Sequence, residues 1–197
     1  MVSELIILAE LELNNKTEKP LLGIVYASMF GAVTAIGAFI AIPLPFSPVP
    51  ITLQTLFLFL AAALLGGRLG AMSQVVYIAL GIIGLPVFAG GKAGFGVLLG
   101  PSGGYLYGFV IGAFVSGMLI SLKEKPGVAW IMLSLCAAVV AIYGCGVLQL
   151  AAVASLSLQK SLLVGALPFL PGDAVKITAA ALIAVKVRDK IKLTGIK

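Results

Sequence analysis

The sequence has no histidine and little charge. Only 10% of its 197 residues are Asp, Glu, Lys or Arg, where a soluble domain carries about 25%. The missing histidine excludes imidazole acid–base catalysis and His-ligated metal. Cysteine is reduced to Cys136 and Cys145, nine residues apart in one apolar run. At about 100° per residue they fall on opposite faces of a helix, so they neither bridge within it nor form a metal cluster, and they are read as packing residues. There is no G-x-x-x-x-G-K-[ST]; Gly90-Gly91-Lys92-Ala93 fails both the spacing and the final hydroxyl, so the chain does not hydrolyse ATP by that route. HExxH and a two-metal carboxylate cluster are missing as well, and the chain is read as a non-enzyme with no catalytic residue, metal site or cofactor. The N-terminal stretch carries Glu4, Glu10 and Glu12, where a signal peptide would have a basic region and then an apolar one.

What is abundant is apolar: 61% of residues are hydrophobic and the mean hydropathy is +1.19. That composition predicts an all-α membrane protein embedded in a lipid bilayer, since helices are the usual way for such a chain to satisfy its backbone there. No charge occurs from Pro20 to Gly67. A span takes about 20 apolar residues, and Pro43, Pro45, Pro48 and Pro50 divide this run. The pattern predicts helices over 21–42, 51–67, 69–85, 104–122, 128–154 and from Asp173, as helix N-cap, to about 189. The organisation is then an N-terminal cytoplasmic or interfacial segment (1–20), a compact six-helix transmembrane domain (21–190) and a basic cytoplasmic tail (191–197).

Basic residues orient the bundle. Lys16, Lys19, Arg68, Lys123, Lys125, Lys186, Arg188, Lys190, Lys192 and Lys197 share one side, against Lys92 and Lys160 on the other. Both termini are therefore expected in the cytoplasm of a multi-pass plasma-membrane protein. The outer side receives the Pro-rich 43–50 turn, the Gly-rich 86–103 loop and the 155–172 segment. The basic tail is read as an inside-facing anchor, not a nucleic-acid site.

Asp173 and Lys176 lie three residues apart on one helix face. Ionisable groups within a bundle are costly and mark a pathway or a ligand site; the plainer reading is an internal ion pair with a cap. A carboxylate accepts N–H groups of a urea or amide, and a lysine meets a carboxylate. Glycines of the 86–103 loop allow close backbone approach to a ligand, and Lys92 there is either an anion contact or a solvated charge. Gln54 and Thr52 bring polar groups to the start of the second helix, either as ligand contacts or only as its caps. The Gly104, Gly108, Gly112 and Ser116 stripe is read as helix packing.

Four ordered stretches then resemble one family: Ile42-Pro43-Leu44-Pro45 with Val49-Pro50-Ile51-Thr52-Leu53-Gln54-Thr55-Leu56; Leu80-Gly81-Ile82-Ile83-Gly84-Leu85-Pro86-Val87-Phe88-Ala89-Gly90-Gly91; Gly100-Pro101-Ser102-Gly103-Gly104-Tyr105-Leu106 with Gly108-Phe109; and Leu167-Pro168-Phe169-Leu170-Pro171-Gly172-Asp173 with Lys176. Together they resemble the BioY family, the biotin-specific S components of energy-coupling factor transporters. The resemblance implies a binder that captures biotin outside and delivers it inward with a coupling transmembrane subunit and two cytoplasmic ATPases. It assigns Asp173 to the ureido N–H groups, and Lys176 to the valerate carboxylate or to orienting Asp173, with Lys92 as another carboxylate candidate. Gly90, Gly91, Gly100, Gly103, Gly104 and Tyr105 would form a lid and one wall, with Phe88 and Tyr105 against the bicycle. The Ala27, Gly31 and Ala35 stripe would dock the coupling subunit, or pack within the chain. A homo-oligomer is left open. The rival readings are an S component for another vitamin and a stand-alone transporter using Asp173 and Lys176 as a proton relay.

Overall fold

A computed structural model describes the backbone of residues 2–188 and the side chains of 21–188. Helix α1 (Val2–Phe39) leads into a two-stranded antiparallel ribbon, β1 (Ala41–Ile42) and β2 (Ile51–Thr52). Then come α2 (Gln54–Ile82), the short α3 (Gly96–Leu99), α4 (Gly103–Ser121), α5 (Val128–Ala154), α6 (Leu158–Gly165), a 3-10 turn (Leu167–Phe169) and α7 (Leu170–Arg188). Five helical stretches, the last running from α6 through α7, are long and apolar enough to cross a membrane.

The sixth rod comes from inside α2. Gly66 has φ +80° and ψ −176°, a conformation open essentially to glycine alone, and the chain reverses there. A Cβ on Gly70 would lie 3.0 Å from the Ala62 backbone, and Gln54 reaches Tyr77, 23 residues away. A straight helix would hold that pair about 34 Å apart. α2 is therefore two antiparallel arms, 54–65 and 67–82, and the six-helix expectation holds with the break beside Gly66–Gly67.

Helix ends differ from expectation where turn chemistry outweighs composition. α1 runs unbroken from Val2, with no boundary at residue 20, and stops at Phe39 because 41–42 pair with 51–52. The second arm of α2 ends at Ile82, before Pro86, as Gly84 turns at φ +106°. Asp173 is not a cap. α7 starts at Leu170 and Asp173 sits in its first turn, so its carboxylate is free for tertiary partners. The tail at 191–197 lies outside the described residues.

Small residues set the spacing of the rods. A Cβ on Gly104, Gly108 or Gly112 would fall 2.3–3.0 Å from the backbone of Cys145, Ile142 or Ala138 on α5, so the α4 stripe is a packing face, as expected. Ala27, Gly31 and Ala35 are likewise buried, and a Cβ on Gly31 would meet the Ser73 carbonyl at 2.9 Å. That stripe faces α2, inside the chain, and is not a surface open to a partner. The exposed small residues of α1, among the described side chains, are one step round the helix, at Ser28 and Ala32.

Candidate functional site

At one end of the bundle the elements part around a cavity. Its roof is the proline turn, through Pro48, Val49 and Pro50, and the loop carrying Phe88, Ala89 and Lys92. The β1–β2 pairing ties both ends of the proline turn together. The Phe88 loop is fixed more tightly. The Phe88 N–H donates to the Lys92 carbonyl and the Gly91 N–H donates back to Phe88, both at 3.0 Å, closing a turn with Gly90 and Gly91 at φ +76° and +71°. The Phe88 ring lies edge-on to Tyr77 at 5.7 Å and directly over Gly81, where a Cβ would sit 2.1 Å from it.

The walls are largely aromatic and aliphatic, with Tyr77, Tyr105, Phe109, Ile142, Tyr143 and Phe169. Tyr105 donates to the Gly165 carbonyl at 2.8 Å, joining α4 to α6. Tyr143 stacks on Phe169 (6.3 Å, 29°) and meets Tyr105 edge-on (6.3 Å, 83°). An apolar site with a few fixed polar groups is the usual build of a small-molecule pocket.

Those polar groups converge at Asp173, which is 3% exposed. Lys176 donates to Asp173 Oδ1 at 3.0 Å and to Thr55 Oγ1 at 2.9 Å, and Thr55 donates to the same Oδ1 at 3.1 Å. Tyr143 donates to Oδ2. Three helices, α2, α5 and α7, thus meet on one carboxylate. A buried charge is tolerable only with such partners. A carboxylate offers about four acceptor positions, and three are filled: two at Oδ1 and one at Oδ2. Lys176 has three donors and uses two. An open acceptor and an open donor are left beside the cavity. A second polar chain runs along the wall: Thr52 donates to Gln54 Oε1 at 2.9 Å, and Gln54 donates to the Tyr77 hydroxyl.

Of the residues singled out in the sequence, Asp173, Lys176, Gln54, Phe88, Tyr105 and Lys92 all line the cavity. Lys92 is exposed at the rim, while Lys176 is committed to Asp173 and Thr55. The glycines do not line it. Gly90 and Gly91 are exposed in the turn behind Phe88, whereas Gly103 and Gly104 are buried against Leu98 and α5. Gly100 gives its carbonyl to the Gln149 amide at 2.8 Å. They shape the backbone that presents Phe88, Ser102 and Tyr105. Sequence reasoning passed over Thr55 and Tyr143 as site residues. Thr55 stood within a quoted motif, and Tyr143 is a lone tyrosine in the apolar run of α5.

The chain is similar to known proteins over most of its length. The BioY family model matches residues 12–193. The biotin transporter BioY of Thermotoga maritima is 44% identical over 165 residues, covering 84% of this chain and 95% of that protein. The biotin transporter BioY of Rhizobium etli is 36% identical over 168 residues, covering 81% and 89%. The crystal structure of the S component for biotin from an ECF-type ABC transporter superposes with a TM-score of 0.79 at 29% identity, covering 88% of this chain and 94% of that one.

Proposed function

Because the chain belongs to the BioY family, we propose that it is a multi-pass membrane S component that binds biotin in the cavity around Asp173 and takes it up with partner subunits. The observation that carries the reading is the cavity itself: apolar aromatic walls with one buried, triply bonded carboxylate that keeps an open acceptor. Biotin has the matching parts, an apolar bicycle, a cyclic urea with N–H donors and a carbonyl, and a carboxylate tail.

In this reading the ureido ring goes to the buried end, where Asp173 accepts an N–H and the remaining Lys176 donor faces the carbonyl. The bicycle packs between Phe88, Tyr105 and their neighbours. The tail runs toward the rim, where Lys92 is the cation not already bonded to Asp173. Lys176 then orients Asp173 and does not meet the tail. The distribution of basic residues favours both termini in the cytoplasm, which turns the cavity outward. The coupling module, a transmembrane subunit with two ATPases, is the energy source that the family implies. Ser28 and Ala32 are the small residues that α1 leaves exposed for such a contact among its described side chains.

The test is equilibrium binding of biotin to the purified, detergent-solubilised protein, beside Asp173→Asn. Tight binding by the native chain, weakened about a hundredfold by Asp173→Asn, is the expected result, since hydrogen bonds to a charged group contribute about 1.5–3 kcal/mol each. A folded native chain that does not bind biotin would overturn the substrate. Unchanged binding by the variant would overturn the site.

A further inference from the structure

Resting on the reading of Asp173 as the ligand's acceptor, we infer that Tyr143 is a positioning residue. It fixes which direction of the Asp173 carboxylate is open to the ligand before any ligand arrives. Nothing in the ligand chemistry itself calls for Tyr143.

The hydroxyl of Tyr143 is the one α5 group that reaches Asp173, and it takes Oδ2. The ring that carries it is held by the frame alone. Phe169 stacks on one side and Tyr105 meets it edge-on. Tyr105 is in turn pinned through its own hydroxyl to the Gly165 carbonyl at 2.8 Å. Its ring lies over Gly146, where a Cβ would come within 2.4 Å, so α5 carries glycine at the one place where a side chain would push Tyr105, and with it Tyr143, out of line.

On the opposite oxygen, Lys176 and Thr55 fill both acceptor positions of Oδ1. A carboxylate bonded at one oxygen only can still turn about its last side-chain bond, a broad, soft torsion. Bonding at both oxygens from different helices stops that rotation. The open position on Oδ2 then has a single direction, set by Tyr143. A preset acceptor saves the ordering cost that a swinging one would meet on binding. Tyr143→Phe keeps both ring contacts and removes only the hydroxyl, which makes the inference testable without disturbing the packing.

The experiment is a double-mutant cycle on biotin affinity in detergent, with native chain, Tyr143→Phe, Asp173→Ala and the double variant, each checked by ligand-free melting. Tyr143→Phe is expected to weaken binding about tenfold in the native background, the scale of one hydrogen bond to a charged group. In the Asp173→Ala background the same change is expected to do almost nothing, because there is no carboxylate left to position. Thr55→Val, which removes one of the two donors on Oδ1, should show the same dependence on Asp173. The proposal is overturned if Tyr143→Phe weakens binding by the same factor in both backgrounds, leaves the native affinity unchanged, or tightens it. A native chain that fails to bind biotin, or an Asp173→Ala variant that binds like the native chain, would instead overturn the underlying site reading.

Discussion

Ala138 and Tyr143 both lie on α5 and belong to two different regions of the molecule. Ala138 faces α4, where a Cβ on Gly112 would lie 3.0 Å from its carbonyl oxygen. Tyr143 faces the cavity and bonds Asp173. The α4–α5 seam is held by closeness of approach, and nothing in it needs a particular functional group. The cavity floor is held by specific donors and acceptors, and its packing is loose enough to leave space. One helix serves both because residues five apart point about 140° apart round its axis. The difference teaches what a single substitution can do. At the seam, size matters and chemistry does not. On the floor, chemistry matters at constant size.

The largest effect that sharpens this contrast is at the floor. Asp173→Asn is nearly isosteric, yet it should weaken biotin binding about a hundredfold, and because it leaves Lys176 without its carboxylate the ligand-free melting temperature should fall as well. Isothermal titration beside thermal melting of the same preparation reads both. If Asp173→Asn instead unfolds the chain with affinity intact, the carboxylate is structural and the contrast fails.

Next in size is the seam. Gly108→Val places atoms where the Ile142 backbone stands, and backbone cannot rotate aside. Overpacking of this kind costs about 1–3 kcal/mol, occasionally more, so the melting temperature should fall. The fraction still folded should bind biotin with native affinity. A changed affinity at unchanged stability would mean that α4 and α5 transmit strain to the floor.

The seam and the floor were not equally legible in the sequence. The four-residue stripe from Gly104 to Ser116 announces the seam, because close helix approach has a regular spacing. The rods were legible from charge-free runs and prolines, although Gly66, the residue that folds α2 back on itself, is one glycine beside another and carries no mark of its φ. Asp173 and Lys176 stood out because charge is rare here. Tyr143 and Thr55 did not, since a single hydroxyl in an apolar run is common and its meaning depends on what lies across the fold. The Ala27–Gly31–Ala35 stripe shows the limit of spacing: the pattern says that something packs closely, and only the structure says that α2 does. Glycine in the 83–94 loop has a different meaning again. Gly90 and Gly91 have open space around them and are needed for their dihedral angles, not for room.

That distinction gives a smaller prediction. Gly91→Ala meets no neighbour, but it holds a left-handed φ of +71°, which costs an L-residue about 1–2 kcal/mol. The strain falls on the turn that presents Phe88, so binding should weaken by less than tenfold while the α4–α5 seam, and hence most of the stability, is untouched. Native affinity in Gly91→Ala would show that the turn adapts, and that Phe88 is positioned by Tyr77 and Gly81 alone.

The smallest effect separates the rim from the floor. Lys92 is exposed, so any attraction it exerts on the ligand's carboxylate acts through water and is screened by salt over about 8–10 Å at ordinary ionic strength. Exposed ion pairs contribute about 0.2–1 kcal/mol. Lys92→Ala should therefore weaken biotin only a few-fold, and the loss should shrink as salt is raised, because the native protein loses the same attraction to screening. Asp173→Asn should show no such convergence, since Asp173 is buried and its partners are half-buried, where salt screens far less. Methyl esterification of the biotin carboxylate offers the complementary cut: the ester should lose affinity for the native chain by about the factor that Lys92→Ala loses for biotin, and the two losses should not add. Additive losses would place the carboxylate partner elsewhere in the cavity, and Lys176, once released from Thr55, would be the cation to test.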